Sequence, residues 1–335
     1  MVPVTATQHL AEVELAQAGE LLGAISDAFD ARVVGQEGLR TSMLVALLSE
    51  GHLLVESVPG LAKTLASATL AQAVAASFSR IQCTPDLLPS DIIGTQVYDP
   101  RHHTFETQLG PVHAHIVLLD EINRASAKTQ SAMLEAMQER QTSIAGQIFP
   151  LPRPFMVLAT QNPIEQEGTY VLPEAQMDRF LLKEVLDYLT VDQEVAVLDR
   201  VEDGTFSSAE PVPAVVGPAD IQRLQAVAQR VYVDGAVKRY IVDVVHATRH
   251  ATTVLGPELG AYVETGASPR GTIAFFEVAR ALAVLDGRAY VVPDDVKALR
   301  HAVLRHRLHL TFEALADRVR PEVLIDAVFD AVPTP

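Results

Sequence analysis

The sequence predicts an α/β fold in which a parallel β-sheet lies between layers of helices and is followed by an all-helical second domain. Its 335 residues suffice for two domains, each with its own hydrophobic core. Up to Asp187, helical patterns alternate with short apolar strands, which is typical of a parallel sheet covered by helices. These strands are 52–56, 80–82, 116–119 and 155–160. Because strand patterns fade after Asp187, we predict an α/β domain at 1–187 and a helical domain at 188–335.

Composition narrows the classes of protein that fit. Apolar residues make up 48% of the chain, which argues against intrinsic disorder because so much apolar surface favours a packed core. The single cysteine, Cys83, excludes an internal disulfide and favours a reducing compartment, so we expect a cytoplasmic protein. We expect neither a membrane span nor a signal peptide. The net charge is −16, with an acidic surplus on both sides of Asp187, which makes nucleic acid an unlikely partner.

The elements of the first domain follow in a definite order. Helical spacing predicts an N-terminal helix over 11–29 and a second helix over 39–48. The strand at 52–56 leads into a Pro-Gly turn and then into a helix over 63–76. Two segments break the alternation, a polar, β-rich one at 95–107 and a hairpin pattern at 141–152, and both should project from the core as insertions.

Helical patterns dominate the second domain after a Pro- and Gly-containing linker at 202–218. They cover 192–200, 220–231, 237–252, 269–285, 293–310, 312–319 and 321–329. The predicted helix at 293–310 carries three arginines and three histidines, which we expect on a solvated face. They are Arg300, His301, Arg305, His306, Arg307 and His309.

The segment from Glu56 to Thr64 reads ESVPGLAKT and follows a predicted strand. Such a loop can hold phosphates with successive backbone N–H groups, while a lysine contacts the β- and γ-phosphates and a hydroxyl contacts Mg²⁺. Lys63 and Thr64 stand in those two places. The strict pattern G-x-x-x-x-G-K-[ST] is not met, because Ser57 and Ala62 occupy its glycine positions. Taken alone, the segment also fits an ordinary Pro-Gly turn before a helix.

Two acids, Asp120 and Glu121, follow the buried strand at 116–119. A carboxylate at such a strand tip can reach a water of Mg²⁺, and the acid beside it can polarise an attacking water. Their position about 57 residues after Lys63 favours this interpretation over two solvated acids that open the next helix.

Three further residues extend the candidate site. Asn162 follows the strand beside the acid-bearing one and could orient water or contact a γ-phosphate, although an Asn-Pro pair also begins ordinary turns. Arg270 lies in the first turn of a helix with Ser268 as N-cap and Pro269 at N1. A cation there opposes the helix dipole and suggests an anionic partner. Arg179 lies in the segment LPEAQMDRF, and either arginine alone also fits a surface charge.

In this order and spacing, the motifs resemble the MoxR branch of the AAA+ ATPases over about residues 33–308. The resemblance is densest in PGLAKT at 59–64, CTPDLLPSDIIG at 83–94, LDEINRASAKTQSAMLEAMQE at 119–139 and LATQNPIEQEGTYVLPEAQMDRF at 158–180. It implies a P-loop αβα core followed by a helical lid. It also implies assembly into a ring, usually a hexamer, with ATP and Mg²⁺ bound at the subunit boundaries.

The resemblance further implies a role for each motif residue. Glu121 would be the Walker B glutamate, Asn162 sensor 1, Arg179 the arginine finger and Arg270 sensor 2. Thr64 and Asp120 would hold Mg²⁺, and the insertions at 95–107 and 141–152 would be the helix-2 insert and the pre-sensor-1 hairpin. The implied ATP contacts are Val34, Gly35 and Gln36 at the adenine and Ser57, Val58, Pro59, Gly60, Leu61, Ala62, Lys63, Thr64 and Asp120 at the phosphates and metal.

The implied function is ATP-driven, chaperone-like remodelling of a protein client, its maturation, or insertion of a metal or cofactor into it. A von Willebrand factor A-domain protein is the implied adaptor. One alternative is a nucleic-acid motor of the same clade, which the acidic surplus disfavours. The other is a nucleotide-binding scaffold with little turnover, which Ser57 supports. If that position required a positive φ, serine would cost roughly 1 kcal/mol of backbone strain and weaken nucleotide binding.

Overall fold

The computed structural model describes residues 10–163, 169–202 and 212–335. These residues form two compact units. The sheet unit comprises residues 23–180 and 184–222, and the helical unit comprises the described residues up to Leu22, Leu181–Lys183 and the residues from Arg223 on. The predicted linker at 202–218 falls largely outside the described residues, and the domain boundary at Asp187 stays a prediction.

The sheet unit alternates strands and helices along the chain. Its elements are α1 (Glu12–Asp30, from Gly23 on), α2 (Glu37–Leu48), β1 (Leu53–Ser57), α3 (Lys63–Ala73), β2 (Phe78–Gln82), α4 (Pro89–Ile93), β3 (Gly94–Asp99), β4 (Thr104–Leu109), β5 (Ile116–Asp120), a 3-10 turn (Ile122–Arg124), α5 (Ala127–Glu139), β6 (Gln141–Ile144), β7 (Gln147–Pro150), β8 (Met156–Gln161), α6 (Glu174–Met177), β9 (Leu182–Leu186), α7 (Val191–Glu202) and the start of α8 (Pro218–Gln229).

The central sheet has five strands in the order β2-β5-β8-β1-β9. The pairs β2–β5, β5–β8 and β8–β1 are parallel. Every residue of β5 up to Leu119 is buried, as expected for a parallel strand covered on both faces. The predicted α/β class is therefore confirmed, and the four predicted strands are joined by β9, which the sequence patterns did not indicate.

Parallel pairing places the carboxyl ends of neighbouring strands at one edge of the sheet. The register aligns Gln82 of β2 with Asp120 of β5, and Glu56 of β1 with Gln161 of β8. In open α/β sheets, ligands bind outside this edge.

Two antiparallel hairpins form where the sequence predicts insertions. In the first, β3 pairs with β4 from Gly94–Leu109 to Asp99–Thr104, and in the second β6 pairs with β7. The base of the first hairpin requires glycine at two positions. A Cβ on Gly110 would lie 2.1 Å from the carbonyl oxygen of Ile92, and Gly94 has a φ of +111°, which favours glycine.

The helical unit contains one small sheet as well as helices. Its elements are the first part of α1, the remainder of α8, α9 (Gly235–Arg249), α10 (Ala251–Gly260), β10 (Val263–Thr265), α11 (Pro269–Leu285), α12 (Pro293–Ala298), α13 (Arg300–Leu304), β11 (His309–Leu310), α14 (Phe312–Ala316) and α15 (Pro321–Ala331). The helix α10 is interrupted at Gly256, whose φ of +82° is not helical. No helix among the described residues is long and apolar enough to cross a membrane.

The prediction of an all-helical second domain is wrong in one detail, because β10 and β11 pair as a short antiparallel sheet. The single helix predicted at 293–310 is also wrong. It breaks at Leu299, whose φ of −111° and ψ of 26° are not helical, and helical structure ends at Leu304.

The basic set predicted on a solvated helix face is partly internal. His306 and Arg307 are only 3% and 4% exposed. The Arg307 guanidinium donates to the carbonyl oxygens of Val303 and Leu181, and that of Arg305 pairs with Glu322 at 2.9 Å. Arginines near a helix C-terminus can satisfy its last carbonyls, which a sequence pattern cannot distinguish from exposure.

Candidate functional site

A cavity of about 420 Å³ lies at the carboxyl edge of the central sheet. It is lined by the loop after β1, the start of α3 and the ends of β2, β5 and β8. The lining residues are Pro59, Gly60, Leu61, Ala62, Lys63, Thr64, Leu65, Arg80, Gln82, Asp120, Glu121, Thr160, Gln161 and Asn162. Most of the predicted loop, both predicted acids and Asn162 thus share one cavity.

The loop between β1 and α3 contains two left-handed residues. Gly60 has a φ of +89°, and a Cβ there would meet nothing within 4 Å, so backbone conformation rather than space favours glycine. Ala62 has a φ of +52° and is the N-cap of α3. The first N–H groups of a helix have no partner within the helix, so α3 can offer them to an anion in the cavity.

The structure corrects the expectation of strain at Ser57. That residue is the last of β1, is 3% exposed and is not among the residues with positive φ. The backbone strain of roughly 1 kcal/mol instead falls on Ala62, which occupies the second glycine position of the strict pattern. Strain at Ser57 therefore gives no reason for weak nucleotide binding.

The Ser57 hydroxyl contacts the loop lysine. The Lys63 ammonium donates to Ser57 Oγ at 2.5 Å and to the Val58 carbonyl oxygen at 3.1 Å. Burial lowers the pKa of Lys63, and the nearby charges of Asp120 and Glu121 act in the opposite direction. Lys63 is thus a half-buried cation whose ammonium is held by Ser57 and Val58.

Both carboxylate oxygens of Asp120 have partners. Thr160 Oγ1 donates to Oδ1 at 2.8 Å, from the neighbouring strand β8. Arg80, on the strand at the other side, donates to Oδ2 from Nη2 at 2.6 Å and from Nε at 3.2 Å. The Asp120 side chain is 13% exposed and that of Arg80 is 49% exposed.

Glu121 follows β5 in a left-handed conformation, with a φ of +57°. Non-glycine residues rarely adopt this conformation, and strained backbone clusters at functional sites. Its N–H donates to Thr160 Oγ1 at 2.9 Å. Its carboxylate accepts from Arg124 Nη1 at 2.9 Å and from Gln82 Nε2 at 3.3 Å.

Asn162 and Arg179 belong to the same unit as the cavity. Asn162 lines it directly after β8 and is 7% exposed. Arg179 lies two residues after α6 and does not line it. Its Nε is buried and has no hydrogen-bond partner among residues 10–163, 169–202 and 212–335.

The remaining predicted residues lie elsewhere. Val34, Gly35 and Gln36 precede α2 and do not line the cavity, and Gly35 has a φ of +67° and packs against Gln193 of α7. Arg270 belongs to the helical unit, in the first turn of α11. As predicted, Ser268 caps that helix, and its side chain accepts from the Arg270 N–H at 3.1 Å.

Four residues at the site were not singled out from the sequence: Arg80, Gln82, Arg124 and Thr160. Arg80 and Gln82 alternate along β2, and that alternation points them to the same face of a strand. A polar i, i+2 pair at the end of an otherwise ordinary strand was the available signal.

Comparison with known proteins shows the family to which the chain belongs. Residues 52–182 match the ATPase family associated with various cellular activities (AAA), and residues 260–328 match the AAA lid domain. The chain is 49% identical over 305 residues to Chaperone MoxR1 of Mycobacterium tuberculosis, covering 90% of this chain and 79% of that protein. It is 30% identical over 324 residues to Protein MoxR of Paracoccus denitrificans, covering 92% and 94% of the two chains. The chain belongs to the MoxR family of AAA+ ATPases.

A solved structure agrees with this assignment. The MoxR-family chain superimposes on the crystal structure of a candidate ATPase from Cytophaga hutchinsonii with a TM-score of 0.90 and 40% identity, covering 97% and 98% of the two chains. The predicted family, the AAA+ fold with its lid and the ATP hydrolase activity are therefore confirmed.

The lining of the cavity fits a magnesium nucleotide. The hydroxyl of Thr64 and the carboxylate of Asp120 are hard oxygen donors, the type that Mg²⁺ prefers. Lys63 and the amino end of α3 supply positive charge and N–H donors for phosphates.

Proposed function

We propose that this MoxR-family ATPase binds ATP with Mg²⁺ in the cavity at the carboxyl edge of its sheet and couples hydrolysis to chaperone-like remodelling of a protein client. The observation that carries the proposal is the meeting of Lys63, Asp120 and Glu121 in one cavity. Phosphoryl transfer requires mainly positioned charge, and these residues supply it from the start of α3 and the end of β5.

Each residue has a distinct role in this proposal. The loop from Ser57 to Ala62 and the N–H groups of α3 bind the phosphates, and Lys63 neutralises their charge. Thr64 and Asp120 hold Mg²⁺, which supplies charge stabilisation when bound. Glu121 polarises the attacking water, which Asn162 orients.

The remaining motif residues have roles outside the lining of the cavity. Arg179 acts across a subunit boundary, and its buried Nε, which has no hydrogen-bond partner among the described residues, supports a side chain that binds an anion. Arg270 is sensor 2 of a lid that begins after Asp187. The segment Val34–Gln36 holds the adenine.

We further propose a cytoplasmic ring, with six subunits, that acts on a protein client together with a von Willebrand factor A-domain adaptor. The two hairpins are the helix-2 insert and the pre-sensor-1 hairpin and face the client. Exposed apolar side chains on both support a polypeptide contact, with Phe105 66% and Ile148 64% exposed.

The test is a Glu121→Gln variant. We expect Mg²⁺-dependent turnover in the wild type and loss of turnover, with nucleotide binding retained, in the variant, because an amide cannot accept a proton from water. The control is Glu139→Gln, which makes the same change at an exposed residue of α5 and should keep full turnover. Equal turnover in the wild type and in Glu121→Gln, at a concentration where rings form, would refute the assignment.

The same variant addresses assembly and partners. Glu121→Gln with ATP should elute as a ring whose mass, measured by light scattering, is about that of six subunits. A purified A-domain protein encoded beside this chain should co-elute with that ring. A monomer at every concentration with ATP would overturn the ring.

A further inference from the structure

The acid proposed to hold Mg²⁺ is already paired with a cation from its own chain. Arg80 of β2 binds Asp120 Oδ2 through two nitrogens, at 2.6 and 3.2 Å. Arg80 also lines the cavity that a magnesium nucleotide would enter.

The two hydrogen-bond partners of the Asp120 carboxylate differ in how easily they can move away from it. Thr160 is 1% exposed, and its hydroxyl also accepts from the Glu121 N–H at 2.9 Å, so its position is fixed by β8 and by the turn after β5. Arg80 has a half-exposed side chain whose one further hydrogen bond among the described residues is to Gln82 Oε1 at 3.2 Å. Arg80 is therefore the exchangeable partner.

We propose that Arg80 is a positioning residue that occupies Asp120 in place of Mg²⁺ and is displaced from Oδ2 when Mg²⁺ and nucleotide bind. This inference rests on the proposed nucleotide site. In the metal-free site, Arg80 neutralises Asp120 beside a cavity that must admit a polyanion. Once Mg²⁺ takes over that charge, Arg80 is no longer needed for it.

The proposal predicts a metal-dependent effect of removing Arg80. Without Mg²⁺, Arg80→Ala leaves the Asp120 charge uncompensated and should weaken binding of a fluorescent ATP analogue about tenfold, the size of one partly screened charge interaction. In millimolar Mg²⁺ the affinity should return to within about threefold of the wild type, because the metal supplies the missing charge.

The readout is the ratio of the dissociation constant in EDTA to that in Mg²⁺, measured on the full chain by fluorescence titration. Arg80→Lys keeps the charge and should keep most of the wild-type ratio. Arg239→Ala removes an equal charge from an exposed pair with Asp243, in the other unit, and should leave the ratio unchanged. In an Asp120→Asn background, adding Arg80→Ala should no longer change the ratio.

Three outcomes would overturn the inference. Equal weakening with and without Mg²⁺ would make Arg80 a phosphate ligand or a structural residue, and unchanged dissociation constants in both conditions would show that its pair with Asp120 does not affect nucleotide binding. An equal change in the Asp120→Asn background would place the effect elsewhere. Absence of any nucleotide binding by the wild type would instead refute the proposed site itself, which distinguishes the two failures.

Discussion

The buried histidine His52 gives this protein a predictable sensitivity to acid. Its ring is 6% exposed, Nδ1 accepts from the Val157 N–H at 3.0 Å, and Nε2 lies 3.2 Å from the Met137 carbonyl oxygen. The neutral ring with its proton on Nε2 satisfies both partners. A second proton would face the Val157 N–H, and burial lowers the pKa of His52 to about 4.

The sign and size of the effect follow from this pKa. An unfolded histidine has a pKa of about 6.5, so between pH 6.5 and 4 the unfolded chain binds a proton that the folded chain does not. The free energy of unfolding is therefore at its full value above pH 6.5 and falls as the pH drops towards 4. Because each pKa unit corresponds to about 1.4 kcal/mol, His52 should contribute a loss of about 2 kcal/mol by pH 5.

The assay compares urea unfolding of the wild type and of His52→Gln at several pH values, followed by circular dichroism because the chain has no tryptophan. Glutamine can still donate to the Met137 carbonyl and accept from Val157, but it does not titrate. The other titrating groups cancel in the difference between the two proteins. Between pH 7 and 5 the wild type should lose about 2 kcal/mol more than the variant. Parallel stability curves would refute the burial argument.

Three further predictions concern single residues near the site. Burial raises the pKa of the Cys83 thiol to about 12, so this only cysteine should resist a thiol reagent at pH 8 until denaturant is added, and rapid labelling of the native protein would contradict this. Ser57→Gly should leave nucleotide affinity within about threefold, because Ser57 has no positive φ and glycine relieves no strain there; a tenfold gain would contradict this expectation. Arg179→Ala should reduce turnover by about a thousandfold or more while nucleotide affinity changes little. Mixing it with Glu121→Gln subunits should restore turnover if Arg179 acts in trans, whereas no recovery in mixed rings would refute the trans role.

Much of the candidate site was predictable because its chemistry is local in sequence. The loop up to Lys63 and Thr64 joins β1 to α3, and Asp120 and Glu121 lie at the carboxyl end of β5, which β8 separates from β1 in the sheet. Parallel pairing then forces these ends to one edge, whatever the details of side-chain packing.

The residues that sequence reasoning missed reach the site from neighbouring strands. Arg80 meets Asp120 only because β2 pairs with β5 in the register that aligns Gln82 with Asp120. A shift of one residue would turn Arg80 to the other face of the sheet. Thr160 depends in the same way on the pairing of β5 with β8. Register is set by long-range packing, and motif spacing does not encode it.

The charged side chains of the proposed nucleotide site already have partners within the chain. Lys63 contacts Ser57 and Val58, and Asp120 contacts Arg80 and Thr160. Binding is then an exchange of partners, in which each new contact replaces one already made, so affinity reflects the difference between the two sets. An acidic chain with a net charge of −16 gains from this arrangement, because its exposed acids would otherwise repel the phosphates of ATP. Lys63 and Arg80 are thus held in the cavity by hydroxyl, carbonyl and carboxylate groups of the same chain, and there they can attract the phosphates.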